Sequence, residues 1–306
     1  MADKPVIGFI GLGYMGHGMA KNILQNGYKL QVKGNRNRAP VESLVGMGAT
    51  EAASVAAMAG SCDIIHLCLS NSPQVEAVIR GPDGILAGGK PGLTVIDATT
   101  SDPTSTIALA AELAARGMTL VDAPLGRTPK EAEAGTLDTM VGADVETFER
   151  LKPVIECWAG NINRTGEVGS AHKMKLVMNF ISMGYAALYS EALVMAVKSG
   201  LTPQTVERVI GGSRLANGFF DTFMKGAVGR DREIHKFTIA NAAKDLRYAA
   251  SMAMAAEMAN PLGAAFRNAF AQVEATGHAG DFVPMLADHV ARWNGLDLAE
   301  AVEKGK

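Results

Sequence analysis

The feature that most constrains the fold is a glycine-rich turn near the start of the 306-residue chain. It reads Gly11-Leu12-Gly13-Tyr14-Met15-Gly16 and lies between an apolar run at residues 6–10 and an amphipathic stretch at residues 14–26. A strand, such a turn and a helix, in that order, are typical of a dinucleotide-binding Rossmann domain. Gly11 allows the tight turn, Gly13 lets a pyrophosphate approach the backbone, and Gly16 lets helix and strand pack closely. Because a helix N-terminus offers unpaired N–H groups, we predict that these six residues bind the cofactor.

The first half of the chain alternates short apolar runs with helical patterns, which predicts a doubly wound α/β domain with parallel strands. Ser72 is the predicted N-cap of one helix, and Pro73 is its predicted first residue. The predicted strands are 6–10, 30–33, 64–69, 94–97, 119–122 and 136–141, and the predicted helices are 14–26, 72–80, 105–116 and 144–157.

The pattern changes after residue 165, where alanine and methionine increase and long helical stretches replace the β-branched runs. We therefore predict a dinucleotide-binding domain at residues 1–165 and an all-helical domain at residues 166–306. The run at residues 176–197 is apolar enough to raise the question of a membrane span. Polar residues such as Asn179 and Glu191 interrupt it, so a buried helix is the better interpretation. The predicted helices of this half are 171–199, 203–210, 238–258 and 261–276.

The charge balance bears on the partners of the protein, and the cysteine count bears on its cellular compartment. The chain has 29 Lys+Arg and 31 Asp+Glu, a net charge of −2, so neither nucleic acid nor an anionic membrane surface is expected as a partner. Three cysteines and no secretory signal in the sequence favour a reduced, cytoplasmic protein. The six histidines show no metal-ligand spacing, so no metal site is predicted.

The end of the second predicted strand bears on the choice between NAD and NADP. NAD-binding domains place Asp or Glu there to bind the ribose 2′-hydroxyl, whereas this chain has Gly34-Asn35-Arg36-Asn37-Arg38. An arginine at this point can bind a 2′-phosphate through two N–H groups. We predict that Asn35 and Arg36 bind NADP, with NAD as the alternative cofactor. The competing interpretation is that Arg36 and Arg38 are solvated surface cations.

Five segments, the first of which contains the glycine-rich turn, resemble motifs of the β-hydroxyacid dehydrogenase family, which includes 3-hydroxyisobutyrate dehydrogenase. The resemblance implies a Rossmann domain, a long linking helix, and a helical domain that supports assembly into a homodimer or homotetramer. It also implies an NAD(P)-dependent enzyme that interconverts a small anionic aldehyde and its hydroxy acid. The segments are residues 8–22, Asp97–Pro103, Asp122-Ala123-Pro124 with 135–142, Gly166–Asn179, and Lys244-Asp245-Leu246.

The resemblance also assigns roles to single residues. Lys175 becomes the proton donor and acceptor, and Asn179 lies one helical turn further on, on the same face. Met178 departs from the family, which has a second asparagine there. Further cofactor contacts are implied at Leu69, Ser70, Thr99, Thr100 and Lys244, with Thr100 also near the substrate. A simple helix cap is an equal alternative for the segment that begins at Ser70.

The segment after Asp122-Ala123-Pro124 departs from the family most informatively. Most relatives continue with serine and glycines that hold a carboxylate, whereas this chain has Gly126, Arg127 and Thr128. A guanidinium suits a larger, fully ionised oxyanion. The three residues resemble those of family members that reduce 3-sulfolactaldehyde to 2,3-dihydroxypropane-1-sulfonate, and we predict that they bind a sulfonate.

Three alternatives stay open at this point. Arg127 could instead turn to solvent, or pair with Glu131 or Glu133. The substrate could be a carboxylate, as in a tartronate, succinic or methylmalonate semialdehyde reductase or a 3-hydroxyisobutyrate dehydrogenase. In a different class, the chain could bind dinucleotides without turnover, although the pair Lys175 and Asn179 disfavours that.

Overall fold

The computed structural model describes residues 4–306, and the chain divides into two compact units, Met1–Lys175 and Leu176–Lys306. The first unit contains a nine-stranded sheet, whose strands are β1 Ile7–Ile10, β2 Leu30–Lys33, β3 Thr50–Glu51, β4 Ile64–Leu67, β5 Thr94–Asp97, β6 Thr119–Asp122, β7 Leu125–Gly126, β8 Leu137–Gly142 and β9 Ala159–Gly166. The strand order is β3-β2-β1-β4-β5-β6-β8-β7, with β9 paired to β8.

The sheet confirms the predicted Rossmann architecture, except that two of its strands run in the opposite direction. Strands β1 to β6 are parallel, whereas β8 runs antiparallel to β6 and β7, and β9 runs parallel to β8. All residues of β1, β4 and β5 are buried, as expected for strands covered on both faces. The last residues of four strands are aligned across the sheet, because Ile10 pairs with Leu67, Leu67 with Asp97, and Asp97 with Asp122. The loops that follow these strands therefore leave the same edge.

The helices of the first unit begin mostly at side-chain caps, and one predicted cap is wrong by a residue. Asn71, not Ser72, caps the fourth helix, because its extended backbone lets the side chain accept from Gln74 N at 3.0 Å. The hydroxyl of Ser72 instead accepts from Asp102 N. The helices are α1 Gly16–Gln25, α2 Ala39–Gly46, α3 Val55–Ser61, α4 Ser72–Arg80, α5 Ile85–Gly88, α6 Pro103–Ala114, α7 Pro129–Ala134 and α8 Val145–Ile155.

The second unit is helical, as predicted. Helix α9, Ser170–Lys198, begins in the first unit and continues into the second. Its length and composition would allow it to cross a membrane, and half of its most apolar stretch is buried. The other helices are α10 Pro203–Gly211, α11 Gly218–Ala227, α12 Ile239–Ala255, α13 Pro261–Val273, α14 Leu286–Trp293 and α15 Leu298–Lys304, with a π-helical turn at Glu274–His278 and a 3₁₀ turn at Val283–Met285.

Candidate active site

The glycine-rich turn has the backbone geometry that a dinucleotide needs. Gly11 has a φ of 98°, and a side chain there would overlap the carbonyl of Cys68 at the end of β4. A side chain at Gly16 would overlap the carbonyl of Gly11. At Gly13 a Cβ would meet nothing within 4 Å, so the protein itself does not require glycine at that position. Open space beside Gly13 fits a pyrophosphate that approaches the backbone closely.

The start of α1 supports the same interpretation. No side chain caps this helix, whereas Asp102 and Asp144 cap α6 and α8. His17 N already donates to Gly13 O at 3.1 Å, but no side chain covers the start of α1, so phosphate oxygens can approach this end of the helix, which the helix dipole also favours. Leu12 and Met15 are half-buried beside the turn, and Tyr14 is 87% exposed. The residues of the turn therefore fit a bound dinucleotide.

The two arginines after β2 have different surroundings. Arg38 forms a two-bond ion pair with Glu51, at 2.8 and 2.6 Å, which holds the pKa of that carboxyl below its usual value. Asn35 and Arg36 are exposed at the end of β2. Since Arg38 is occupied by Glu51, Arg36 is the arginine left for a 2′-phosphate.

One hydrogen bond joins the loops after β4 and β5, and a second, buried one fixes the loop after β5. Leu69 N donates to Thr99 Oγ1 at 3.0 Å, and Thr99 N donates to Asp97 Oδ1 at 2.9 Å. Asp97 is fully buried, and this burial raises the pKa of its carboxyl. Ser70 is exposed and Thr100 is half-buried in the same two loops. The predicted cofactor residues of these loops therefore lie at one edge of the sheet.

A buried carboxylate fixes the start of α9, and the sequence interpretation gave it no role. Asp122 ends β6 and accepts from Gly169 N at 2.7 Å and from His172 N at 2.8 Å. The ring nitrogen Nδ1 of His172 forms a hydrogen bond with Thr106 Oγ1 at 2.8 Å. Half-buried Lys175 follows one helical turn after His172. The edge of the sheet that carries the cofactor loops thus also positions the predicted proton donor.

Arg127 is held by an acid that the sequence interpretation did not name. Its Nε donates to Asp138 Oδ2 at 2.8 Å, between the paired strands β7 and β8. The alternatives for its ion pair, Glu131 and Glu133, have other partners: Thr128 for the first, and Lys21 and His17 for the second. Arg127 therefore pairs with neither of the two glutamates that were considered as alternatives.

The backbone around Arg127 is also distinctive. Its φ of 72° lies in the left-handed region, where glycine is favoured and other residues are uncommon. Gly126 precedes it in β7 and pairs with Asp138. The next residue, Thr128, caps α7 through its side chain, in a capping box with Glu131. Thr128 thus has a structural role at the position predicted to bind substrate.

The second unit brings Asn179 and Lys244 to one acid, Asp245. Asn179 is buried, and its Nδ2 donates to Asp245 Oδ2 at 2.6 Å. Lys244 Nζ lies 3.1 Å from Asp245 Oδ1. A carboxylate only accepts hydrogen bonds, so this contact fixes which end of the Asn179 amide faces it. Asp245 was missed as a site residue, although it is part of the motif that singled out Lys244.

Comparisons with known proteins agree with this geometry. Residues 6–166 match the family model described as the NAD binding domain of 6-phosphogluconate dehydrogenase. Residues 169–287 match a second family model, described as NAD-binding of NADP-dependent 3-hydroxyisobutyrate dehydrogenase. A 2-(hydroxymethyl)glutarate dehydrogenase of Eubacterium barkeri is 39% identical over 207 residues, 68% of each chain. A 3-sulfolactaldehyde reductase of Escherichia coli is 35% identical over 271 residues, 89% of this chain and 91% of that one. A solved 3-hydroxyisobutyrate dehydrogenase of Mycobacterium tuberculosis, with L-serine, has a TM-score of 0.84 at 26% identity and covers 94% of this chain and 99% of that one.

Fold, loops and comparisons together define an oxidoreductase that acts on CH–OH groups with a nicotinamide dinucleotide. Within that class the chain belongs to the 3-hydroxyisobutyrate dehydrogenase family of β-hydroxyacid dehydrogenases. The alternative of a binding protein without turnover is set aside.

Proposed function

We propose that this enzyme is an NADPH-preferring reductase of a short sulfonate-bearing aldehyde, 3-sulfolactaldehyde. Arg127 binds the sulfonate, Lys175 transfers the proton, and Asn179 orients the reacting groups. The relative from Escherichia coli that carries this activity in its name supports the proposal.

The observation that carries the proposal is the orientation of Arg127. Asp138 accepts from Nε, so this bond leaves the two terminal nitrogens of the guanidinium for another acceptor. Half of the side chain is exposed. A sulfonate stays ionised at any working pH and offers three oxygens, so it can accept two parallel charge-assisted bonds from these nitrogens.

The chemistry of the proposed reaction needs one proton and one hydride. The hydride for the carbonyl carbon would come from a dihydronicotinamide cofactor, when one is bound at the glycine-rich turn. The ammonium of Lys175 donates its proton to the carbonyl oxygen, and in the reverse direction its neutral amine accepts the hydroxyl proton. Asn179 is held by Asp245 through Nδ2, so its amide oxygen is directed away from that carboxylate and can accept a hydrogen bond.

The preference for NADPH rests on the residues after β2. Asn35 and Arg36 stand where an NAD-specific domain has an acid, and Arg38 is already bound to Glu51. A 2′-phosphate would meet a cation here, whereas a 2′-hydroxyl would meet no carboxylate.

A carboxylate semialdehyde is the second candidate substrate, and one observation favours it. The relative from Eubacterium barkeri, which is 39% identical against 35% for the one from Escherichia coli, is named for 2-(hydroxymethyl)glutarate, a dicarboxylate. Arginine also binds carboxylates through two parallel bonds, so Arg127 suits this class as well.

We also propose that the enzyme is a homodimer or homotetramer that pairs through α9. One side of this helix exposes apolar side chains at three- and four-residue spacing, which is the pattern of a helix face that a second copy covers. These residues are Met174, Val177, Met178, Ile181, Tyr185, Leu188 and Met195, each at least 39% exposed. Light scattering of Leu188→Glu against the unmodified enzyme tests this, and an unchanged mass would contradict it.

The substrate proposal is tested by the oxidation of NADPH and NADH with a panel of aldehydes. The panel contains 3-sulfolactaldehyde and the tartronate, succinic and methylmalonate semialdehydes. We expect the highest kcat/KM with NADPH and 3-sulfolactaldehyde. Faster turnover of any of the carboxylates would overturn the sulfonate assignment and leave the family assignment standing.

A further inference from the structure

Three side chains of the second unit converge outside the proposed active site. His289 Nε2 lies 2.8 Å from Asp281 Oδ2, and His278 Nδ1 lies 3.4 Å from the same oxygen. One ligand atom from each residue falls within 4.8 Å of the other two, and no other such group occurs within residues 4–306. The spacing of the histidines in the sequence predicted no metal site. The three residues come from a turn, a loop and a helix, and it is the fold that brings them together.

The backbone around the three residues is fixed by hydrogen bonds to the start of α12. Ile239 N donates to Asp281 O at 2.8 Å, and Ala240 N donates to Ala279 O at 2.9 Å. Thr238 and Phe282 form an isolated antiparallel bridge. The loop that carries His278 and Asp281 is therefore anchored by groups other than the three side chains, so a ligand would find them already in place.

Burial differs across the cluster. The His289 side chain is 4% exposed, whereas those of Asp281 and His278 are 32% and 46% exposed. One imidazole is thus fixed inside the protein, and the opposite side of the cluster is open to water. A metal ion bound here would keep positions for water ligands.

We propose that His278, Asp281 and His289 form a binding site for a divalent transition metal ion of the zinc type. Two imidazole nitrogens and one carboxylate oxygen are borderline ligands that suit Zn²⁺, whereas Mg²⁺ and Ca²⁺ prefer oxygen ligands alone. In a tetrahedral zinc site the ligand atoms lie about 3.3 Å apart, as follows from bonds of 2.0–2.1 Å. The distances of 2.8 and 3.4 Å are close to this value.

Arg292 is the group that opposes a metal ion here. Its Nη1 lies 3.5 Å from His289 Nδ1. A metal ion on Nε2 requires the proton on Nδ1, and Arg292 can only donate, so this contact must open when the ion binds. Arg292 is exposed, which lets its side chain turn into solvent. Removal of this guanidinium is therefore expected to raise the affinity for the metal.

The site has a structural consequence within the second unit. It joins the loop before the 3₁₀ turn to α14 and, through the backbone bonds of Ile239 and Ala240, to the start of α12. Asp245, which holds Asn179, lies further along α12. Since an ion that binds only the folded state stabilises it, zinc should raise the unfolding temperature by a few degrees.

The test uses the full chain without an affinity tag, dialysed against a chelator and titrated with Zn²⁺ in competition with a chromophoric chelator. We expect one Zn²⁺ per chain. His278→Ala and Asp281→Asn should each lower the affinity at least about tenfold, since even changes to groups behind a metal ligand cost that much. Both side chains are partly exposed, so the variants should fold.

Two further variants complete the test. Arg292→Gln should bind zinc more tightly. His17→Gln is the matched control, because His17 pairs with the carboxylate of Glu133 at 2.9 Å without being in the cluster, and its loss should leave the zinc affinity unchanged. Binding that survives unchanged in His278→Ala and Asp281→Asn, or no stoichiometric binding by the unmodified chain, would overturn the proposal. An unfolding temperature that zinc raises equally in all variants would do the same.

Discussion

Arg36 and Arg38 stand two positions apart, and their side chains have different surroundings. Arg38 is bound to Glu51 by two hydrogen bonds, whereas Arg36 is exposed at the end of β2. Lys173 and Lys175 form a similar contrast at the start of α9, since Lys173 is exposed and Lys175 is half-buried. At the residue scale, two residues of the same type can thus have different surroundings, and each pair offers its own control for the proposed roles of Arg36 and Lys175.

Arg36→Ala should remove most of the preference for NADPH. A charge-assisted pair contributes about 1.5–3 kcal/mol, so the ratio of kcat/KM for NADPH over NADH should fall about ten- to a hundredfold. Arg38→Ala is the control and should change this ratio much less, because Glu51 holds that side chain. Steady-state rates with both cofactors check the prediction, and equal losses with NADPH and NADH in Arg36→Ala would contradict it.

Lys175→Ala should abolish most turnover without loss of cofactor binding. General acid catalysis supplies roughly 10²–10⁴-fold in rate, so kcat should fall within that range. Lys173→Ala, two residues earlier on the exposed side, should keep near-normal kcat. NADPH affinity, measured by fluorescence titration, should be similar in both variants. Near-normal turnover in Lys175→Ala would show that another group transfers the proton.

At the element scale, one buried carboxylate links β6 to the helix that carries Lys175. Asp122 accepts from two backbone N–H groups at the start of α9, and it lies just before the segment that carries Arg127. A side chain at Gly142 in β8 would overlap the Asp122 carboxylate, so the glycine leaves the room that this carboxylate occupies. The start of α9, which lies in the first unit, is thus held by this buried carboxylate.

Asp122→Ala should lower both the stability and the kcat of the enzyme. Each buried N–H group left unpaired costs about 1–3 kcal/mol in the free energy of unfolding. Asp102→Ala removes the cap of α6 and is the control, with a cost of about 1 kcal/mol and little effect on kcat. Asp122→Asn, which keeps one acceptor, should recover part of the lost kcat. Urea unfolding and steady-state rates measure both effects, and a kcat unchanged in Asp122→Ala would refute the link.

The elements that the sequence predicted share a physical property. The strands β1, β4, β5 and β6 are nearly continuous apolar runs because both of their faces are buried. The turn at residues 11–16 has a glycine spacing that is typical of dinucleotide-binding domains. By contrast, β9 is mostly exposed and polar, so no periodicity marks it. The pairing of Arg127 with Asp138 and the cap by Asp122 join residues distant in sequence, which local patterns do not predict.

At the scale of the whole molecule, each unit contains a histidine whose pKa lies far below its ordinary value; His66 is fully buried and His235 is half-buried. Burial lowers the pKa of His66 to about 3 and that of His235 to about 4. His66 packs between Phe9 and Trp158 in the first unit, and His235 packs against Phe219 in the second. Both rings are therefore neutral in the folded protein at pH values at which the unfolded chain is already protonated.

Acid should therefore destabilise both units below about pH 6.5, the ordinary pKa of histidine. In the window from about pH 6.5 down to pH 4 the unfolded chain binds a proton at each histidine that the folded chain does not, so stability falls as pH falls. Each histidine contributes about 1.4 kcal/mol per pH unit. His66→Phe should reduce the loss of stability between pH 6.5 and pH 5, measured as the shift of the urea midpoint. An identical shift in the variant and the unmodified protein would contradict this origin.

In the proposed function, Arg127 selects the acid group of the substrate. The most direct measurement is the ratio of kcat/KM for 3-sulfolactaldehyde over methylmalonate semialdehyde in three proteins: the unmodified enzyme, Arg127→Lys, and Arg127→Gly combined with Gly126→Ser. We predict a ratio well above one in the unmodified enzyme. It should be reduced in Arg127→Lys, which keeps the charge but loses the planar pair of donors, and it should fall below one in the double variant. The same ratio in all three proteins, or a ratio below one in the unmodified enzyme, would contradict the proposed role of Arg127.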